Sequence, residues 1–140
     1  MKYIKSGSSY IIRLERGEEI IEKITELCER ERIGLGSLRA VGAVNRVKLG
    51  LFKTAEKQYV SKELEGDYEI ASLYGNISAM NGKPYLHIHA VVTDESLSAY
   101  GGHLNSAIVS ATCEILLDSL DGCVEREYSE EIGLNLYKFL

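Results

Sequence analysis

Apolar and polar residues along the chain fall into one helical stretch and a series of strand-like runs. Ser9-Tyr-Ile-Ile-Arg-Leu14 reads as a strand, because it is short and rich in β-branched and aromatic side chains. Gly17 breaks the run. Glu18 and Glu19 follow, where the positive end of a helix dipole favours negative charge. Ile20, Ile21, Ile24, Leu27 and Cys28 then recur at helical spacing. This predicts an amphipathic helix from Glu18 to about Arg32, with Glu22, Lys23, Glu26, Glu29 and Arg30 on its outer face. Gly34 and Gly36 are expected to stop it.

Strands are predicted for most of the remaining chain. Ser37–Val44 and Val47–Lys53 are two candidates, separated by a turn at Asn45-Arg46, and Val47, Leu49 and Leu51 share one face of the second. Gln58–Leu64 is a third, closed by Gly66-Asp67, and Tyr68–Ser78 a fourth. Asn81-Gly82 is a strong hairpin signal before Tyr85–Thr93. Asp94–Leu97 turns the chain back. Ile108–Leu117 alternates, with Val109, Ala111, Cys113, Ile115 and Leu117 on one face. Cys123–Tyr128 and Leu134–Phe139 are read as short edge strands. One helix and many strands joined by short turns predict an α+β fold in a single domain, residues 1–140. Its largely antiparallel, mixed β-sheet packs with one main amphipathic helix.

Composition narrows the function classes. The 140 residues are 45% apolar and carry a formal net charge of −5. An acidic chain is repelled by a polyanion unless its basic residues cluster. Arg46, Lys48 and Lys53 lie near one predicted hairpin and could make such a patch, but Glu15, Glu18, Glu19 and Glu56 are interleaved among the basic residues. The N-terminal segment lacks the apolar run of a signal peptide, and no stretch approaches the roughly 20 apolar residues of a membrane span. Cys28, Cys113 and Cys123 are odd in number and widely spaced, so free thiols and cytoplasmic residence are expected.

The chemistry concentrates in one place. The only three histidines, His87, His89 and His103, fall within seventeen residues. On the predicted strand Tyr85–Thr93, Leu86, Ile88, Ala90 and Val92 form an apolar face. Tyr85, His87, His89, Val91 and Thr93 form the other. His87 and His89 are then about 6.6 Å apart along the strand, close enough for both rings to lean onto one ion. His103 reaches the same face only if the intervening loop is odd in length, centred on Ser96, or if Gly101-Gly102 forms a bulge. Three neutral imidazoles suit zinc, and also copper, iron or nickel, and leave a position for water or a small ligand. Glu69 and Glu114 lie in otherwise apolar strands and are candidates to orient the ligands from outside. Without an ion, the same histidines serve as a polar or interface surface. No nucleophile elbow, phosphate-binding loop or HExxH motif names a reaction, so no catalytic residue is assigned.

These residues carry a family likeness. Leu14-Glu-Arg-Gly-Glu18, Tyr68-Glu-Ile-Ala-Ser-Leu-Tyr-Gly-Asn76, Gly82-Lys-Pro-Tyr-Leu-His-Ile-His89, Gly101-Gly-His-Leu104 and Ala111-Thr-Cys-Glu-Ile115 occur in one order. Across essentially the full chain, the sequence resembles the plant-and-prokaryote conserved (PPC) domain, as a stand-alone prokaryotic member. The resemblance implies a homotrimer of α+β sheet domains and a metal ion, usually zinc, at His87, His89 and His103. The family commonly carries a DNA-binding or transcription-associated label, which makes that the alternative reading. A metal-dependent enzyme acting on a small molecule is a second. This chain has no AT-hook, the basic motif with which plant members contact DNA.

Overall fold

Ile20, Ile24, Leu27 and Cys28 are buried along one side of the single helix, α1 (Ile20–Glu31), in the computed structural model, which describes residues 1–139. Glu19 caps its N-terminus. One carboxylate oxygen accepts from the Glu22 amide at 2.6 Å, and the other accepts from the Ala107 amide at 2.8 Å. The cap therefore ties the helix to the sheet. Neither Gly34 nor Gly36 ends the helix, as the sequence suggested. Arg32 does, in the left-handed conformation at φ 58°, with its amide directed at the Cys28 and Glu29 carbonyls.

Strands make up most of the chain, so the fold is more β-dominated than the α+β expectation implied. β1 (Lys2–Ser6), which the sequence reading had missed, pairs with β2 (Ser9–Glu15). Three long strands follow with a shorter one between them: β3 (Gly36–Lys53), β4 (Gln58–Met80), β5 (Lys83–Thr93) and β6 (Ala99–Ser119). They lie in the order β1-β2-β6-β3-β4-β5, and β5 pairs again with β6. β3, β4, β5 and β6 thus close into a ring. Every ladder is antiparallel; among the described residues, parallel pairing occurs only at two isolated bridges, so the sheet is not mixed in any substantial sense. The inward faces bury Leu14, Val44, Leu73, Val92, Leu104 and Val109 with the apolar side of α1.

Two expected turns are absent, for a shared reason. Asn45-Arg46 and Gly66-Asp67 do not reverse the chain; they meet across β3 and β4. The register steps from Val44↔Tyr68 to Arg46↔Glu65, so Asn45 stands opposite both Gly66 and Asp67. Turn-prone residues here supply a β-bulge that bends two continuous strands. Asn81-Gly82 does form the expected hairpin, with φ 54° and 72°, the positive pair a tight primed turn requires. The C-terminal strands are not edges of the main sheet. β7 (Arg126–Ser129) and β8 (Leu134–Tyr137) pair with each other as a separate two-stranded sheet.

No helix among the described residues is long and apolar enough to cross a membrane. All three cysteines are free. Burial pushes the Cys28 and Cys113 thiols up to about 12, while Cys123 is exposed. A thiol reagent at neutral pH is therefore expected to titrate Cys123 alone in the native chain and all three cysteines after denaturation. Rapid native reaction of a second thiol would show that one of the buried sites opens readily.

Candidate metal centre

Loop parity brings the histidines together. Asp94–Ser98 connects β5 to β6, and its neighbours pair as Thr93↔Ala99, continuing without a shift to His89↔His103. The loop is centred on Ser96, the odd-length solution anticipated from the sequence, and Gly101-Gly102 does not bulge. Asp94 builds the loop: its Oδ1 accepts from the amides of Ser96 at 2.9 Å and Ser98 at 3.0 Å. The glycine pair has a different task. A Cβ on Gly102 would lie 2.6 Å from the Gly50 carbonyl oxygen, so its absence lets β6 approach β3 beside His103.

His87 and His89 share a face of β5, opposite Asn76 and Tyr74 of β4, while Ile88, Ala90 and Val92 point into the core. The ligand atoms of His87, His89 and His103 all lie within 4.8 Å of one another. The His87 and His89 Nε2 atoms are 3.2 Å apart, and the three ring centroids are separated by 5.1, 5.4 and 5.6 Å. Two nitrogens bound to one tetrahedral ion at about 2.05 Å stand roughly 3.3 Å apart, so this pair already has the span of a tetrahedron edge. Two nitrogen lone pairs facing each other at such a distance repel. A shared proton or a bound cation relieves the repulsion, and the donor set fits a transition metal of zinc's type.

Burial and neighbouring charge hold two of the rings, His87 and His103, in the ligating form. Burial, then the neighbouring His89 and Arg126, move the His87 pKa below its ordinary value of 6.5. Burial, then His87 and His89, do the same at His103. Both imidazoles therefore stay neutral to lower pH than a free histidine. The cluster contains no carboxylate among the described residues. Glu69 is exposed and pairs with Ala43 and Thr93; Glu114 is exposed and pairs with Arg13 and Val41. The fold brings neither into the cluster.

Three neighbours of the site escaped the sequence reading. The Tyr59 ring meets His103 edge-on at 6.2 Å, and its hydroxyl donates to Asn105 Oδ1 at 2.7 Å. Asn105 is the extra residue of a bulge in β6, where Lys48 pairs with Ser106 but Leu49 with Leu104. Arg126, on β7, packs against the ring of Tyr85, two residues before His87, and its charge helps lower the His87 pKa. Tyr59 and Arg126 belong to no local motif, because each arrives from a distant strand, whereas Asn105 lies two residues after His103 on β6 and only the bulge singles it out.

Three solved structures similar to this chain share its fold over almost their whole length. A candidate DNA-binding protein of Bacteroides thetaiotaomicron is 35% identical at a TM-score of 0.96, covering 99% of this chain and 96% of its own. A metal-containing protein of Archaeoglobus fulgidus is 36% identical at 0.90, covering 96% of each chain. A plant- and prokaryote-conserved protein of Pyrococcus horikoshii is 33% identical at 0.89, covering 99% of this chain and 96% of its own. No curated protein matches the sequence. The model of the Plants and Prokaryotes Conserved (PCC) domain matches residues 1–121, from β1 through the end of β6. The chain belongs to the PCC (PPC) domain family.

Proposed function

We propose that this protein is a homotrimeric metal-binding domain that holds one ion, zinc by preference, at His87, His89 and His103. The convergence of three imidazoles within 4.8 Å carries the reading. The metal-containing relative from Archaeoglobus fulgidus supports it. Three protein ligands leave a coordination position open, and an ion held so would polarise a small ligand or acidify a bound water. Elemental analysis of untagged protein is expected to find about one metal per protomer; protein that stays metal-free after incubation with zinc would end the reading.

The outer sheet face supports self-association. Ile4 is 65% exposed, Val41 57% and Tyr74 65%, and with Ile11 and Leu116 they line an open groove of about 850 Å³. So much apolar surface on one face calls for cover. Tyr74 also stands opposite His89 across β4 and β5, so a second copy seated there would lie beside the metal site. The free thiols fit a cytoplasmic home.

Proton competition should be visible. The folded-state pKa values of His87 and His103 lie below their ordinary value, so below about pH 6.5 the unfolded chain takes up protons before the folded one. The contribution of these histidines to stability is therefore present above that pH and is lost as pH falls through it. Denaturant titrations of metal-free protein at pH 7.5 and pH 5 should show the lower stability at pH 5, together with weaker metal uptake. Equal stability at both values would contradict the inferred neutral imidazoles.

A DNA-binding role, named for the Bacteroides relative, has weaker physical support here. Two of the three basic residues singled out near the β3–β4 hairpin sit in ion pairs, and among the described residues Lys48 does not. Arg46 pairs with Glu65 at 3.0 Å and Lys53 with Glu56 at 3.2 Å. At low salt, duplex DNA is expected to run unretarded with micromolar protein; a salt-sensitive shift would reverse this ranking.

A further inference from the structure

The C-terminal β7–β8 hairpin lies outside the residues the family model matches, yet it places a cation against Tyr85, two residues before His87 on β5. Arg126 is only 9% exposed. Its Cζ sits 4.6 Å from the Tyr85 ring centroid and 4.3 Å from that of Tyr137. Its Nε donates to Ser78 Oγ at 2.7 Å, and its Nη1 donates to the Asn135 carbonyl at 2.8 Å. These partners are all neutral. No carboxylate forms an ion pair with Arg126 among the described residues, although ten other ion pairs are present. A buried guanidinium without a counter-charge is costly, and stacking between two aromatic faces offsets part of that cost.

The position of this charge links it to the site. Tyr85 lies two residues before His87 and on the same face of β5, about 6.6 Å along the strand. Ser78 and Asn76 of β4 face Tyr85 and His87 respectively. The hairpin is docked there by a backbone bond in which Ala79 N of β4 donates to Val124 O at 2.8 Å. Three neutral imidazoles would leave the full double charge of a bound ion in place, and Arg126 adds a third positive charge. No acidic side chain in the cluster balances them.

We propose that the site takes a small anionic ligand, a carboxylate or a phosphate, whose negative charge is shared between the ion on His87, His89 and His103 and the guanidinium of Arg126. This rests on the metal-binding reading above. Arg126 is a specificity-determining residue in this scheme, and the hairpin that presents it is part of the site rather than an appendage.

Cobalt is the probe, because its visible spectrum reports both its own binding and any ligand that joins it. The full-length, untagged protein is loaded with cobalt and titrated with acetate, inorganic phosphate and, as a neutral control, acetamide. Acetate or phosphate should perturb the spectrum saturably and acetamide should not; the tighter of the two anions identifies the ligand chemistry. Arg126→Gln should weaken anion binding by about tenfold. It should also bind cobalt at least as tightly as the parent, since a like charge has been removed. A purely structural Arg126 would move both affinities downward together. Arg126→Lys keeps the charge but loses the planar fork stacked between Tyr85 and Tyr137, so its anion affinity should fall between those of the parent and the Gln variant. If Arg126→Gln does not fold, the comparison of acetate with acetamide and the Lys variant decide the matter. Equal anion affinity in parent and Gln variant, or acetamide binding as tightly as acetate, would overturn this inference while leaving the metal site standing. Failure of the parent to take up cobalt would overturn the metal reading itself, and this inference with it.

Discussion

Replacing His89 with alanine is expected to abolish metal retention while leaving the fold intact. His89 is exposed, and its strand is anchored by Ile88, Ala90 and Val92 on the opposite face, so truncation opens no core cavity. The metal-free variant should match metal-free parent within about 0.5 kcal/mol. Metal binding should suffer far more. Losing a group that merely orients a ligand typically costs 10–100-fold in affinity, and loss of a ligand itself should exceed about 100-fold. At a free zinc concentration a hundred times the parent dissociation constant, the ion stabilises the parent by about 2.7 kcal/mol. For a chain of this size that is a rise of roughly 8–10 °C in melting temperature. The variant should show almost none of it. Thermal melts with and without zinc, beside elemental analysis, measure both effects. Glu69→Gln provides the control, since Glu69 stands outside the cluster, and its zinc response should equal that of the parent. Full zinc stabilisation in the His89 variant would mean that the ion, if bound, sits elsewhere.

The second large effect concerns assembly. Val41→Lys should convert the proposed trimer to a monomer. Val41 is on the outer face and pairs in register with Glu114 of β6. A lysine there gains an acidic cross-strand neighbour within its own chain, so the folded monomer is not weakened by like charge. Packed against another copy, the same ammonium would be buried in apolar surface. A penalty of about 3 kcal/mol per site corresponds to more than a hundredfold loss of association. Native mass spectrometry should find three protomers in the parent and one in the variant, with unchanged circular dichroism. A parent that is monomeric at micromolar concentration, or a variant that still assembles, would refute the role given to this face.

The two effects meet at Tyr74, which lines the outer groove and faces His89. Dissociation should therefore alter the surroundings of the metal site without removing a ligand. Zinc should still bind to the Val41→Lys monomer.

What was legible in the sequence was local. The helix was readable because Ile20, Ile24, Leu27 and Cys28 follow its period and Glu19 offers a cap. His87 and His89 could be assigned to one face because side chains on a strand alternate strictly, and the core positions Ile88, Ala90 and Val92 confirm that alternation. Asn81-Gly82 announced its hairpin because both positive φ angles are needed there and that pair tolerates them. Errors arose where local preference met long-range pairing. Asn45-Arg46 and Gly66-Asp67 each resemble turns alone; opposite one another they make a bulge, and no short window contains both. Glu69 and Glu114 were candidates because they sit in otherwise apolar strands, and strand pairing sets them opposite Thr93 and Val41 rather than a histidine.

The sequence by itself determined the helix, most of the strand-forming segments, the family and the shared face of His87 and His89, since these depend on local spacing and short motifs. Tertiary structure alone decided that His103 joins the other two, because that follows from the parity of one loop and the register it sets. It also decided that Arg126 packs against Tyr85, two residues before His87, through a hairpin nearly forty residues further along the chain. Contacts of that kind arise from packing free energy summed over the whole domain, which no local pattern encodes.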